Sequence, residues 1–233
     1  MIEEDRDVVV RAGRAALDGS LGLPDSRRGI VVFAHGSGST HLTCRNRYVA
    51  ECLNEAGFAT LLFDLLTLRE QAIDHYSHDL RNDKPRLVGR LTGALDWLAS
   101  RPELCDLPLG LFGARSGAAA VLQVAAQYAD RVSAVVVRGG RPDVSGEVLA
   151  RIRAPTLLVV GSLDPGLPAL ARQAAARLRA EHRVEVLAGA GHYFSEPHTL
   201  TTAAELARDW FLAHLREGRR PVMLLSRSAS PAA

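Results

Sequence analysis

Four short stretches of this sequence bring together residue types that do chemistry. His35-Gly36-Ser37-Gly38-Ser39 is a tight glycine loop able to present backbone N–H groups to an anion or oxyanion. Gly113-Ala114-Arg115-Ser116-Gly117 has the two outer glycines of the strained strand-to-helix elbow G-x-S-x-G, with an arginine at its centre. Gly161-Ser162-Leu163-Asp164 offers a carboxylate and Gly189-Ala190-Gly191-His192 an imidazole. Acid and then histidine follow the elbow in the chain order of a hydrolytic triad, in which the histidine is the base and the carboxylate fixes its tautomer and stabilises its charged form. Arg115 cannot be the nucleophile, because a guanidinium is always protonated and cannot attack a carbonyl.

More arginines gather around these stretches. Arg115, Arg138 and Arg141 fall near the carboxyl ends of adjacent expected strands, and Arg45 and Arg47 near the start of the helix after the glycine loop. A guanidinium at a helix amino terminus is unfavourable unless an anion is nearby, since that end already carries about half a positive charge. The expectation is a small anionic substrate, bound by Gly36, Ser37, Arg138 and Arg141 around Arg115. The alternative is an ion pair from Arg115 to Asp164 or another acid. His75-x-x-His78 with Asp74 and Asp79 has ligand-type residues but no distant fourth ligand, so a solvated cap loop is expected there and no metal. Asp64 is expected to orient a loop by accepting from backbone N–H groups, and His35 to be structural.

The elements that must position these residues read as a parallel sheet with helices on both faces, because short apolar runs alternate with segments of helical periodicity. A hairpin (8–12 and 15–21) precedes strands at 30–34, 60–63, 107–112, 134–137, 156–160 and 184–187. Helices are expected at 46–56, 86–100, 116–128, 169–179 and 201–216. In such a sheet ligands bind outside the carboxyl ends of the strands, where all four chemical stretches fall.

A chain of 233 residues suits one core, expected over 1–217, with an Arg/Ser/Pro-rich flexible tail over 218–233. The net charge of +2 and the lack of long basic blocks argue against a nucleic-acid partner. Three widely spaced cysteines suit a reducing compartment. The acidic start has no apolar stretch, and no run approaches the roughly 20 residues of a membrane span. The expected location is cytoplasmic, with no membrane association and no cofactor; the oligomeric state is left open.

From about Arg28 to Leu215 the chain resembles dienelactone-hydrolase-like α/β hydrolases. The resemblance is carried by the glycine loop, Arg45-Asn46-Arg47, Leu61-Leu62-Phe63-Asp64-Leu65-Leu66, the elbow, Arg138-Gly139-Gly140-Arg141-Pro142-Asp143, and Gly191-His192 with Glu196-Pro197. It implies an α/β-hydrolase fold with a mostly parallel central sheet of about eight strands. It also implies Asp164 as triad acid, His192 as base, and the N–H groups of Ser37 and Ser116 as oxyanion hole. The departure is Arg115, where the resemblance implies serine or cysteine. Three readings stay open: Ser116 as a displaced nucleophile of an esterase or lactonase; a retained Asp164-His192 pair doing acid-base chemistry such as lactone opening, elimination, isomerisation or cyclisation; or a pocket that only binds.

Overall fold

The computed structural model describes residues 2–35 and 41–215. Gly36 and Ser37 in the glycine loop, and the tail 218–233, lie outside the described residues. The hairpin forms from β1 (Ile2–Ala12) and β2 (Ala15–Pro24). Then come β3 (Gly29–Ala34), α1 (Cys44–Glu55), β4 (Phe58–Phe63), α2 (Leu68–Ser77), α3 (Lys84–Ala99), β5 (Leu109–Ala114), α4 (Gly117–Gln127) and β6 (Val132–Arg138). The chain continues through α5 (Gly146–Arg151), β7 (Thr156–Gly161), α6 (Leu167–Ala175), β8 (His182–Leu187) and α7 (Thr199–His214).

The strands make one eight-stranded sheet in the order β1-β2-β4-β3-β5-β6-β7-β8. β1 and β2 run antiparallel at one edge, and every pairing from β4 to β8 is parallel. β3 lies between β4 and β5, so the winding reverses there and opens the crevice where doubly wound sheets bind ligands. β3 to β7 are buried at every position, as expected of strands covered on both faces. One apolar layer packs the sheet against α3, α4, α5 and α6, and the other against α1 and α7. In the second layer Phe33 and Phe112 stack with centroids 4.7 Å apart; burying each phenyl ring contributes roughly 1.5–3 kcal/mol.

The expected strands and helices all form, with ends shifted by a few residues. Two helices were not expected. Segment 68–77 is α2, not a solvated loop: Thr67 and Glu70 make a reciprocal capping box at its start. Its one buried residue is Asp74, while Leu68, Ile73 and Tyr76 are exposed, so the helix buries no apolar stripe against the core. Asp74 accepts from the backbone N–H of Arg81 at 2.9 Å and from its Nε at 2.7 Å, tying α2 to the turn before α3. The six-residue α5 was too short to stand out, though Ser145 caps it. No helix among the described residues is long and apolar enough to cross a membrane.

Candidate active site

The loops after β7 and β8 bring acid and base together. Nδ1 of His192 lies 2.6 Å from Oδ2 of Asp164. A carboxylate only accepts, so Nδ1–H donates and the tautomer leaves Nε2 free of its proton. Backbone bonds lock the two loops: Ser162 N–H to Leu187 O and Leu163 N–H to Ala190 O, both 2.9 Å. Ser162 Oγ also accepts from Gly189 N–H at 2.9 Å. Gly161 permits this approach, for a Cβ there would fall 2.3 Å from the Ala190 carbonyl oxygen. On the far side of His192, Glu196 Oε2 accepts from Gly191 N–H at 3.1 Å. That bond, with the N–H groups of Glu196 and Ser195, holds the Glu196 carboxyl below its ordinary value.

The elbow forms after β5. Arg115 takes the left-handed conformation, φ 55°, one of four described non-glycine residues with positive φ. Such a conformation costs a non-glycine residue about 1–2 kcal/mol, and the close packing of α4 on the sheet maintains it. Gly117 makes that packing possible: a Cβ there would sit 1.9 Å from the Ala34 carbonyl oxygen. Ser116 starts α4 with no side-chain cap, and Ala118 N–H bonds back to the Arg115 carbonyl at 3.1 Å, so the N–H groups at the start of the helix left for an acceptor are those of Ser116 and Gly117. The Ser116 hydroxyl makes no hydrogen bond to His192.

Arg115, Ser116 and His192 line one cavity of about 500 Å³, with Gly139 and Arg141 from the loop after β6 and Arg81 and Lys84 from the segment before and at the start of α3. A larger cleft of about 770 Å³ beside α5 and α6 shares Arg141 but contains neither His192 nor Asp164. Of the two, the smaller one holds His192 and the elbow residues.

The ion pair expected as the alternative for Arg115 is not formed. Asp164 is committed to His192, and the Arg115 guanidinium instead lies 4.9 Å from the centroid of the Tyr193 ring. Arg45 approaches the same ring at 5.5 Å. Among the described residues neither guanidinium has a carboxylate partner. Arg138 differs from the expectation of substrate contact. It is only 7% exposed and does not line the described cavity. Its side chain runs toward α1, where Nη2 donates to Asn46 Oδ1 at 3.1 Å, and lies near the Phe112 and Phe194 rings. Nη1 is buried without a hydrogen-bond partner. Burial, with the neighbouring charge of Arg45, pushes its pKa down to about 10.

Asp64 behaves as expected: Oδ1 accepts from the backbone N–H of His41 at 2.6 Å, at the end of the glycine loop, while Oδ2 accepts from Gln71 of α2. His35 is buried with Nε2 3.8 Å from the same carboxylate. Reading the sequence missed Tyr193, Arg81 and Lys84. Tyr193 stood next to the base, which was a usable signal. Arg81 and Lys84 come from a segment read as loop, and nothing local placed them over the elbow.

The dienelactone hydrolase family matches residues 17–216. The crystal structure of a dienelactone hydrolase from Anabaena variabilis ATCC 29413 is 46% identical, covers 91% of this chain and 99% of that one, and superposes with a TM-score of 0.88. Est1E from Butyrivibrio proteoclasticus is 15% identical over 89% of this chain and 98% of its own, with a TM-score of 0.75, and shares the fold alone. A Mycobacterium tuberculosis H37Rv protein provisionally named a phosphoribosyl transferase is 48% identical over 211 residues, 91% of this chain. The chain spans about half the length of that relative, 47%.

Proposed function

The chain belongs to the dienelactone hydrolase family, and on that premise we propose that it acts on a small anionic ester, lactone or related carbonyl compound by acid-base chemistry without a serine acyl-enzyme. The observation that carries this reading is the 2.6 Å Asp164–His192 pair, whose histidine lines the same cavity as an arginine at the elbow. His192 Nε2 takes a proton from water or from the substrate and returns it to the leaving oxygen, while Asp164 stabilises the imidazolium formed between. The open N–H groups at the start of α4 receive the developing oxyanion. Arg115 stands in the nucleophile's place and holds the substrate's anionic group, to which a guanidinium can make two parallel hydrogen bonds.

A barrier normally divided by a covalent intermediate is then crossed in one step, so simple activated esters are poor substrates. The displaced-serine reading is weaker, because the Ser116 hydroxyl makes no hydrogen bond to the base. The transferase name of the mycobacterial relative belongs to a protein about twice as long, and the anionic group is left open between carboxylate and phosphate.

Calorimetry with small carboxylates and phosphates tests the reading: Arg115→Lys should weaken binding, Arg115→Ala should weaken it further, and added salt should erode the difference only modestly. Equal affinities in all three proteins would make Arg115 structural. Labelling of the wild type by a serine-directed fluorophosphonate at Ser116 would establish the displaced serine instead.

A further inference from the structure

The cavity that Arg115 lines carries a further electrostatic pattern. Arg81, Lys84 and Arg141 line it, and Asp143 is the only acid among the described lining residues. Arg81 is committed to the buried carboxylate of Asp74. Among the described residues Arg141 makes no ion pair. Lys84 Nζ reaches Asp143 Oδ2 at 2.7 Å, joining the start of α3 to the loop after β6 across 59 positions of sequence. That hydrogen bond and the charge of Lys84, followed by the charge of Arg141, hold the Asp143 carboxyl below its ordinary value. The Asp143 carboxylate therefore sits where two cations would hold any anion.

The contact is easily exchanged. Lys84 and Asp143 are 51% and 66% exposed, and an ion pair so wetted contributes about 0–1 kcal/mol. A ligand carboxylate or phosphate delivered into the cavity by a first contact elsewhere competes for Lys84 at high effective concentration. Repulsion among Arg115, Arg141 and Lys84 is relieved further when two negative groups enter instead of one.

Resting on the proposed reading of Arg115 as a first anion contact, we infer that Lys84 and Arg141 form a second anion subsite, filled by Asp143 in the free protein, and that the molecule taken by this site carries two anionic groups. One end is held at the elbow and the other displaces Asp143, with the reacting carbonyl between them beside His192. Asp143 thus acts as a competing anion at the second subsite, which a singly charged ligand held at Arg115 leaves in place.

The test is calorimetry with straight-chain dicarboxylates from succinate to pimelate, each against the monocarboxylate of equal length, and with the matching phosphonocarboxylates. Wild type should bind the best dicarboxylate about tenfold tighter than its monocarboxylate counterpart. Lys84→Ala and Arg141→Ala should each erase much of that ratio, lowering dicarboxylate affinity several-fold more than monocarboxylate affinity. Asp143→Asn should tighten the dicarboxylate several-fold and by more than the monocarboxylate, the opposite sign from loss of a structural contact. Phosphonocarboxylates show which anion the second subsite prefers. Equal affinities for one and two charges, both still dependent on Arg115, overturn the second subsite and leave the first. No Arg115-dependent binding of either class overturns the reading on which both rest.

Discussion

The guanidinium of Arg115 lies 4.9 Å from the centroid of the Tyr193 ring, and that ring stands edge-on to His192 with centroids 5.1 Å apart. One aromatic side chain therefore connects the elbow to the base. Arg45 meets the same ring, so Tyr193 holds two guanidiniums in place without neutralising either.

Tyr193→Ala should weaken binding of a small carboxylate about two- to fivefold, the equivalent of a partly exposed cation–π contact of about 0.5–1 kcal/mol, while Tyr193→Phe should keep it. Titration of the three proteins with one ligand checks this. An equal loss in Phe and Ala would show that the hydroxyl, not the ring, matters.

Arg115→Ser should create p-nitrophenyl acetate hydrolysis and fluorophosphonate labelling that the wild type lacks, since the left-handed elbow and the Asp164–His192 pair are already built. Adding His192→Ala to that variant should cost at least about 10³-fold of the new activity. An Arg115→Ser protein that folds and remains unlabelled would show that position 115 does not face His192.

Gly117→Ala should destabilise the fold by about 3 kcal/mol or more, because its methyl would meet the Ala34 carbonyl oxygen at 1.9 Å, and backbone on both sides has little room to move. Denaturant midpoints measure it. Gly89, whose added Cβ would meet nothing within 4 Å, is the control, and Gly89→Ala should be neutral or slightly stabilising.

Burial raises the pKa of Asp74, but the backbone and side-chain hydrogen bonds and the charge of Arg81 outweigh it, so the pKa is lowered from 3.8. A lowered carboxyl pKa contributes stability that is present above the unfolded value and lost as pH falls through the folded one. Asp74→Asn should therefore cost about 2 kcal/mol near pH 7, and the gap to wild type should close below about pH 4. Hydrogen exchange across α2 as a function of pH reads this out; a gap constant from pH 7 to pH 3 would exclude the ion pair as its source.

The sequence by itself determined the fold class and the pairing of Asp164 with His192. Apolar runs of six or so residues, helical stripes between them and glycines after the strands are local signals, and sheet topology then forces the strand ends, with Asp164 and His192, to one side. The conformation of Arg115 was legible for the same reason, from the spacing of Gly113 and Gly117. Tertiary structure decided where long charged side chains go. Arg115 follows β5 and Arg138 ends the neighbouring β6, where it pairs with Ala114, yet one lines the cavity and the other is buried against Asn46. Helix α2 exposes Leu68, Ile73 and Tyr76 and buries an aspartate, the reverse of the usual pattern, and the partner that fixes it is Arg81 in the following turn. A guanidinium reaches several ångströms from its backbone through rotatable bonds, and its partner can be any residue the fold brings near. Sequence spacing constrains where the backbone places a residue; only packing and charge in three dimensions select where such a side chain ends.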